Sequence, residues 1–275
     1  MAINKQEFDS LMEQASAFLP YWARNTNPIV RRHLGLGGHT VPPALRPLLI
    51  GLAVWGLLFT VGLFVPGIVH VTLLLFLASI MLVPITMLLY AHILFTVART
   101  AAHNMQDEMK NNTFNLLRAT PMSLDQIFLG KVAAAMWKRS DDLVLVAQVI
   151  VVFAPPILYA MYSPLWPPTE TPIMTLIVML LAMLVSLLRV LLEPIMIGTL
   201  GVLVGLVAPN RSTAITATIA LGAFYVLLLN LTRQLPDVAG SREWLFVMDF
   251  IVPIALPVLL STIFLRVAHW IVQGR

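Results

Sequence analysis

The 275-residue chain contains no cysteine. That excludes a disulfide framework, a thiolate metal site and a cysteine-held iron–sulfur cluster. Charge is scarce as well: Asp, Glu, Lys and Arg make up 11% of the residues, against about 25% in soluble domains. The formal charge of +4 comes from 17 Lys and Arg against 13 Asp and Glu. Those charges are too few and too scattered to form a stripe that tracks nucleic-acid phosphates, so no nucleic-acid partner is expected. In place of charge the chain has long apolar runs: 59% of residues are hydrophobic and the mean hydropathy is +0.88. Between Arg46 and Arg99 lie 52 consecutive residues without a formal charge. At ~1.5 Å per helical residue this run reaches ~78 Å, enough to cross a ~30 Å hydrocarbon core twice. The pattern predicts an all-α integral membrane protein.

Six spans follow from the apolar runs, at about 47–65, 71–98, 143–162, 173–208, 213–231 and 246–267. Pro66-Gly67 supplies a tight reversal between the first two. Pro209-Asn210-Arg211 separates the fourth and fifth, and Trp244 and Trp270 sit at interfacial positions around the sixth. The fourth run is the longest. Its 36 residues would form ~54 Å of helix, and Pro194 removes a backbone donor within it, so one long kinked helix is predicted. Residues 1–46 form a separate N-terminal segment. No stretch resembling a signal peptide occurs in the first ~20 residues, so no cleaved leader is expected. Phe8, Leu11, Met12, Ala15, Phe18 and Leu19 recur at helical spacing, which predicts an amphipathic helix packed on the membrane surface or on protein.

Positive charge sets the orientation, because loops rich in Lys and Arg are retained in the cytoplasm. With the N-terminus inside, 14 of the 17 Lys and Arg fall on the inner side, only Arg233 and Arg242 fall outside, and Arg189 lies within a span. Both termini and the polar insert 99–142 are therefore expected to be cytoplasmic. The remaining residues, 47–275, form the transmembrane domain.

The insert has an internal logic. Phe114, Leu116 and Leu117 alternate with Asn115 and Arg118 in a short amphipathic helix that Thr120-Pro121 stops, because proline disfavours helix at the residue before it. Ser123 and Gln126 form an S-x-x-Q capping box that starts a second helix toward Lys131. Helices this short are marginal in water, so the segment must gain stability from its own bundle or from a partner.

In this insert the chain resembles the membrane subunits of type 2 ATP-binding cassette (ABC-2-like) transporters. Glu108, Thr113, Leu116, Leu117, Ala119-Thr120-Pro121, Ile127 and Gly130-Lys131 stand in that family's order. Asn27 to Arg32 resembles the family's basic lead-in to the first span, and Gly201 to Ala214 resembles the glycine-rich end of the fourth span with its turn. Asn112 stands where the family commonly has glycine, and Lys110 where a second acidic residue is frequent. The resemblance implies a permease subunit in a bacterial cytoplasmic membrane, pairing as a homodimer or heterodimer and exporting a substrate. It also implies a separate cytoplasmic ATPase subunit, which would receive the short helix as a coupling helix, with Thr113, Phe114, Asn115, Leu116, Leu117 and Arg118 as contacts. Phe114 and Leu117 have a second reading, packing on the spans above. The alternative at the level of the whole chain is a permease-like structural subunit, bound without transport in a larger photosynthetic or respiratory membrane complex.

Catalytic and cofactor motifs are absent. Gly130-Lys131 is followed by Val132 and lacks the earlier glycine of G-x-x-x-x-G-K-[ST], so any ATP site belongs to another chain. Neither G-x-S-x-G nor H-E-x-x-H occurs, and no enzyme activity, cofactor or metal site is expected. Arg189 and Glu193 form a candidate intramembrane polar pair. They lie four residues apart on one helical face, where charge at membrane depth must meet protein or water; they read as a structural ion pair or as a polar point on a substrate path. His92, inside the second span, reads as hydrogen-bonded within the bundle in preference to ligating haem or chlorophyll. Gly198, Gly201 and Gly205 leave one helix face nearly bare, which allows close approach of a neighbouring helix of the same chain or of a dimer partner.

Overall fold

A computed structural model describes residues 19–24, 26–34, 45–64, 71–233 and 242–274. The predicted amphipathic helix over Phe8 to Leu19 falls almost wholly outside them, as does the Pro66-Gly67 reversal. Among the described residues the chain is entirely helical, without strands. After a 3₁₀ turn at Tyr21–Ala23 come α1 (Pro28–Leu34), α2 (Leu45–Phe64), α3 (Val71–Lys110), α4 (Thr113–Arg118), α5 (Leu124–Trp137), α6 (Ser140–Tyr162), α7 (Pro172–Val207) and α8 (Arg211–Arg233). The last rod consists of α9 (Arg242–Phe246), a π turn (Val247–Ile251) and α10 (Val252–Gln273).

Among the described residues five helices are long and apolar enough to cross a membrane: Phe76–Lys110, Ser140–Tyr162, Pro172–Val207, Arg211–Leu229 and Trp244–Gln273. The predicted first span corresponds to α2, a 20-residue helix whose apolar stretch among the described residues is the shorter Pro47–Leu58. Outward-facing Leu77, Met81, Leu88, Ile173, Leu227 and Leu259 leave the bundle with an apolar coat, the surface that lipid tails accept without a hydrophobic penalty.

The fourth apolar run is one continuous helix. Although Pro194 lies within it, α7 keeps helical structure over all 36 residues. Missing backbone bonds of this kind are tolerated in bundles where neighbours satisfy the freed groups. α7 is the axis of the fold, packing on α2, α3, α5, α6, α8 and the final rod. Its glycine face meets α3 and α5 of the same chain. A Cβ at Gly201 would lie 3.1 Å from the Ala102 nitrogen and the Ala98 carbonyl, and one at Gly205 would lie 2.9 Å from the Ala102 carbonyl. A Cβ at Gly198 would lie 2.5 Å from a Val132 methyl on α5. The bare face therefore serves packing within the chain, with Ala98, Ala101 and Ala102 completing a contact between small residues.

α3 differs from the sequence-based boundary at residue 98. Charged residues begin at Arg99, yet the helix continues three more turns to Lys110. Charge marks where a helix leaves apolar surroundings; it does not end the helix. This extension, with α1, α4 and α5, builds a polar platform on one end of the bundle. Its core holds Met105, Phe114, Ile127, Phe128 and Val132.

Candidate functional site

The platform grows from local signals. Asn27 caps α1, its Oδ1 accepting from the Ile29 amide at 2.9 Å, and Pro28 fills the first helical position, where no amide donor is needed. α5 begins with the expected capping box: the Ser123 hydroxyl accepts from the Gln126 amide and the Gln126 side chain accepts from the Ser123 amide, both at 3.3 Å. α1 closes onto α5 at Gly130, where a Cβ would lie 3.3 Å from two Ile29 carbons. The Trp137 indole donates to the Ala23 carbonyl at 2.7 Å and fixes the far end of this contact.

Beneath that contact lies a buried ionic cluster. Lys131 has no solvent exposure and its Nζ donates to Glu108 Oε2, while His33 Nε2 lies 3.3 Å from Glu108 Oε1. One carboxylate thus joins α1, the end of α3 and α5. Burial pushes the Lys131 ammonium below its ordinary pKa; the charge and hydrogen bond of Glu108 oppose that shift, and the neighbouring charge of Arg32 adds to it. Glu108 and Gly130-Lys131, quoted for the family resemblance as separate residues, form one clasp in this structure. The sequence held no direct signal for His33.

α4 is presented beside this clasp. It spans Thr113–Arg118, and Asn112 before it adopts a left-handed backbone at φ 56°. Glycine takes that conformation freely and asparagine tolerates it, so the Asn112 departure preserves the turn. The six predicted contact residues divide by face. Phe114 is only 4% exposed, its ring stacked on Phe128 with centroids 6.1 Å apart, and Leu117 packs against the same core. For these two, the alternative reading of packing within the chain is the one the structure realises. Asn115, Leu116 and Arg118 face outward, Leu116 with 71% exposure, and Thr113 is half-buried with its hydroxyl donating to the Glu108 carbonyl at 3.5 Å.

A second polar cluster lies within the bundle. Arg189 and Glu193 are paired one turn apart on α7, with Nε and Nη2 at 2.9 and 2.8 Å from Glu193 Oε1. Tyr90 of α3 completes the cluster, its hydroxyl lying 2.8 Å from Glu193 Oε2 and 3.1 Å from the Arg189 carbonyl. Glu193 is 2% exposed, and Arg189 and Tyr90 both meet its carboxylate. Tyr90 lies about a hundred residues away in sequence and carried no pattern that could pair it with Glu193.

His92 faces out of the bundle, contrary to the interior position predicted from its polarity. His103 Nδ1 lies 2.9 Å from Asp107 one turn along α3, and His269 Nδ1 lies 3.9 Å from Asp125 of α5. Among the described residues no three His, Asp or Glu converge as metal ligands.

Five membrane-length apolar helices and a polar platform on one end define a multi-pass helical membrane protein. Comparison with protein-family models, with curated proteins and with solved structures gives no match.

Proposed function

We propose that the chain is the permease subunit of an ATP-driven exporter of the ABC-2 type. In this reading it crosses a bacterial cytoplasmic membrane six times, with α2 as the first span and both termini in the cytoplasm. It pairs with a second permease copy and binds a separate ATPase through α4. Helices of six residues do not persist alone in water, and α4 is held by Phe114 against Phe128 while Leu116 is left to solvent. That exposed leucine, held on a rigid platform and flanked by Asn115 and Arg118, carries the reading, because an anchored apolar side chain with a polar rim is how a short helix docks into a groove. The resemblance of residues 107–131 to the family supplies the identity of the partner.

The experiment is co-purification from native membranes with mass spectrometry of what is recovered. The unmodified chain is expected to bring down a protein with a Walker-type ATP site, and Leu116→Asp to lose it while still inserting into the membrane. Equal recovery with Leu116→Asp would remove α4 as the docking element. Recovery of pigment- or quinone-binding membrane proteins at fixed stoichiometry, with no ATPase, would contradict transport and favour a structural subunit.

A further inference from the structure

A small cavity of about 200 Å³ opens between α3, α6 and α7. Its walls are almost entirely apolar, with Val83 and Met87 of α3, Val149 and Ala154 of α6, and Val190 of α7 among them. Two polar groups at its edge, Tyr90 and Arg189, belong to the cluster around Glu193. The other two, Thr86 and Ser186, direct their hydroxyl protons to carbonyls of their own helices, Leu82 and Ala182, at 2.8 Å. Arg189 differs from these. Its bonds to Glu193 use Nε and Nη2, whereas a guanidinium carries five N–H donors. Its side chain is 27% exposed and is part of the cavity lining. Arg189 is therefore the charged donor that this cavity offers, beside the acceptor oxygens of Thr86 and Ser186.

Depth narrows the choice of occupant. Gly201 packs at the level of Ala98 to Ala102, where charge begins on α3 at Arg99. Arg189 lies 12 residues outward from Gly201 along α7, or ~18 Å, near the middle of a ~30 Å core. A phospholipid headgroup anchored at the interface does not reach that level, and lipid tails bring no acceptor. The volume admits one end of a molecule only, since sites that enclose drug-sized ligands run to about 300–1,000 Å³. We propose that the cavity binds the carboxyl end of a single-chain amphiphile, with its first methylenes along Val149 and Ala154 and its carbonyl oxygen accepting from Arg189. The site stands on geometry alone; that this amphiphile is the exporter's cargo rests on the function proposed above.

The test uses the full chain in phosphatidylcholine nanodiscs without any ATPase, labelled with a diazirine-bearing palmitic acid and mapped by peptide mass spectrometry. Label is expected to concentrate on residues 83–90, 146–154 and 186–190 and to be displaced by palmitate, with hexadecane at least about tenfold less effective. Ala154→Phe, which fills the cavity, is expected to lower labelling about tenfold; Val149→Phe on the same wall repeats the test if the first variant does not fold. Arg189→Gln with Glu193→Gln is expected to abolish the preference for palmitate over hexadecane. Label spread evenly over all lipid-facing helices, undiminished labelling after filling, or equal competition by hexadecane against the unmodified chain would each overturn the site. A positive result alongside a failed ATPase pull-down would leave a lipid-binding membrane protein that is not an exporter, so the two claims fail separately.

Discussion

Lys131 donates a hydrogen bond to the carboxylate of Glu108, 23 residues earlier in the chain, and both side chains are shut away from solvent. Removing one member leaves the other charge buried without its partner. Glu108→Gln or Lys131→Met is therefore expected to destabilise the platform by about 3–5 kcal/mol, and replacing both with Leu and Met to recover most of that loss. Thermal unfolding in detergent, read on the single and double variants, checks the coupling. Additive losses would show that the two side chains do not act as a pair.

The glycine face of α7 yields a paired prediction. At Gly205 a new Cβ would lie 2.8 Å from the Met105 Cβ and 2.9 Å from a backbone carbonyl, so Gly205→Ala must part α7 from α3. A cost of about 1–3 kcal/mol is expected, the usual penalty for overpacking. At Gly56 on α2 nothing lies within 4 Å of the added carbon, so Gly56→Ala is expected to be neutral or to gain up to about 1 kcal/mol of helix propensity. The order of the two melting temperatures is the measurement.

Asn112 gives a backbone test. Because its φ is 56°, Asn112→Gly is expected to preserve or raise stability, whereas Asn112→Val should cost about 1–2 kcal/mol through the clash of its Cβ in the left-handed region. The same ranking should appear in ATPase co-purification, because the residue sets where α4 starts.

Tyr90 is the third member of the bundle's polar cluster. Tyr90→Phe removes the hydroxyl facing Glu193 and keeps the ring, so the expected loss is about 0.6–1.7 kcal/mol, the range for interhelical hydrogen bonds in membrane bundles. Unfolding of that variant in mixed micelles checks it, and an unchanged midpoint would remove the interhelical role of the hydroxyl.

Features encoded over a few residues were legible in the sequence. The apolar runs foretold the long helices, Ser123 and Gln126 the start of α5, and the spacing of Arg189 and Glu193 their ion pair. Thr120-Pro121 marked the end of α4. Features that depend on which elements meet were not legible. Tyr90 and Glu193 come together only because α3 packs on α7, and His33 reaches Glu108 only because Gly130 lets α1 close on α5. Periodicity gave α4 an apolar side, but it could not show that Phe114 and Leu117 turn toward the bundle while Leu116 turns away. His92 misled for a related reason: a polar side chain in an apolar run is expected to seek the interior, and α3 turns it outward.

Everything functional in this account depends on α4 facing the cytoplasm. The absence of cysteine makes that directly measurable, since Leu116→Cys creates the only thiol in the chain. With a membrane-impermeant maleimide, the account predicts no labelling in intact cells and full labelling in inverted membrane vesicles, reduced when the ATPase is bound. Labelling of Leu116→Cys from the outside of intact cells would contradict it.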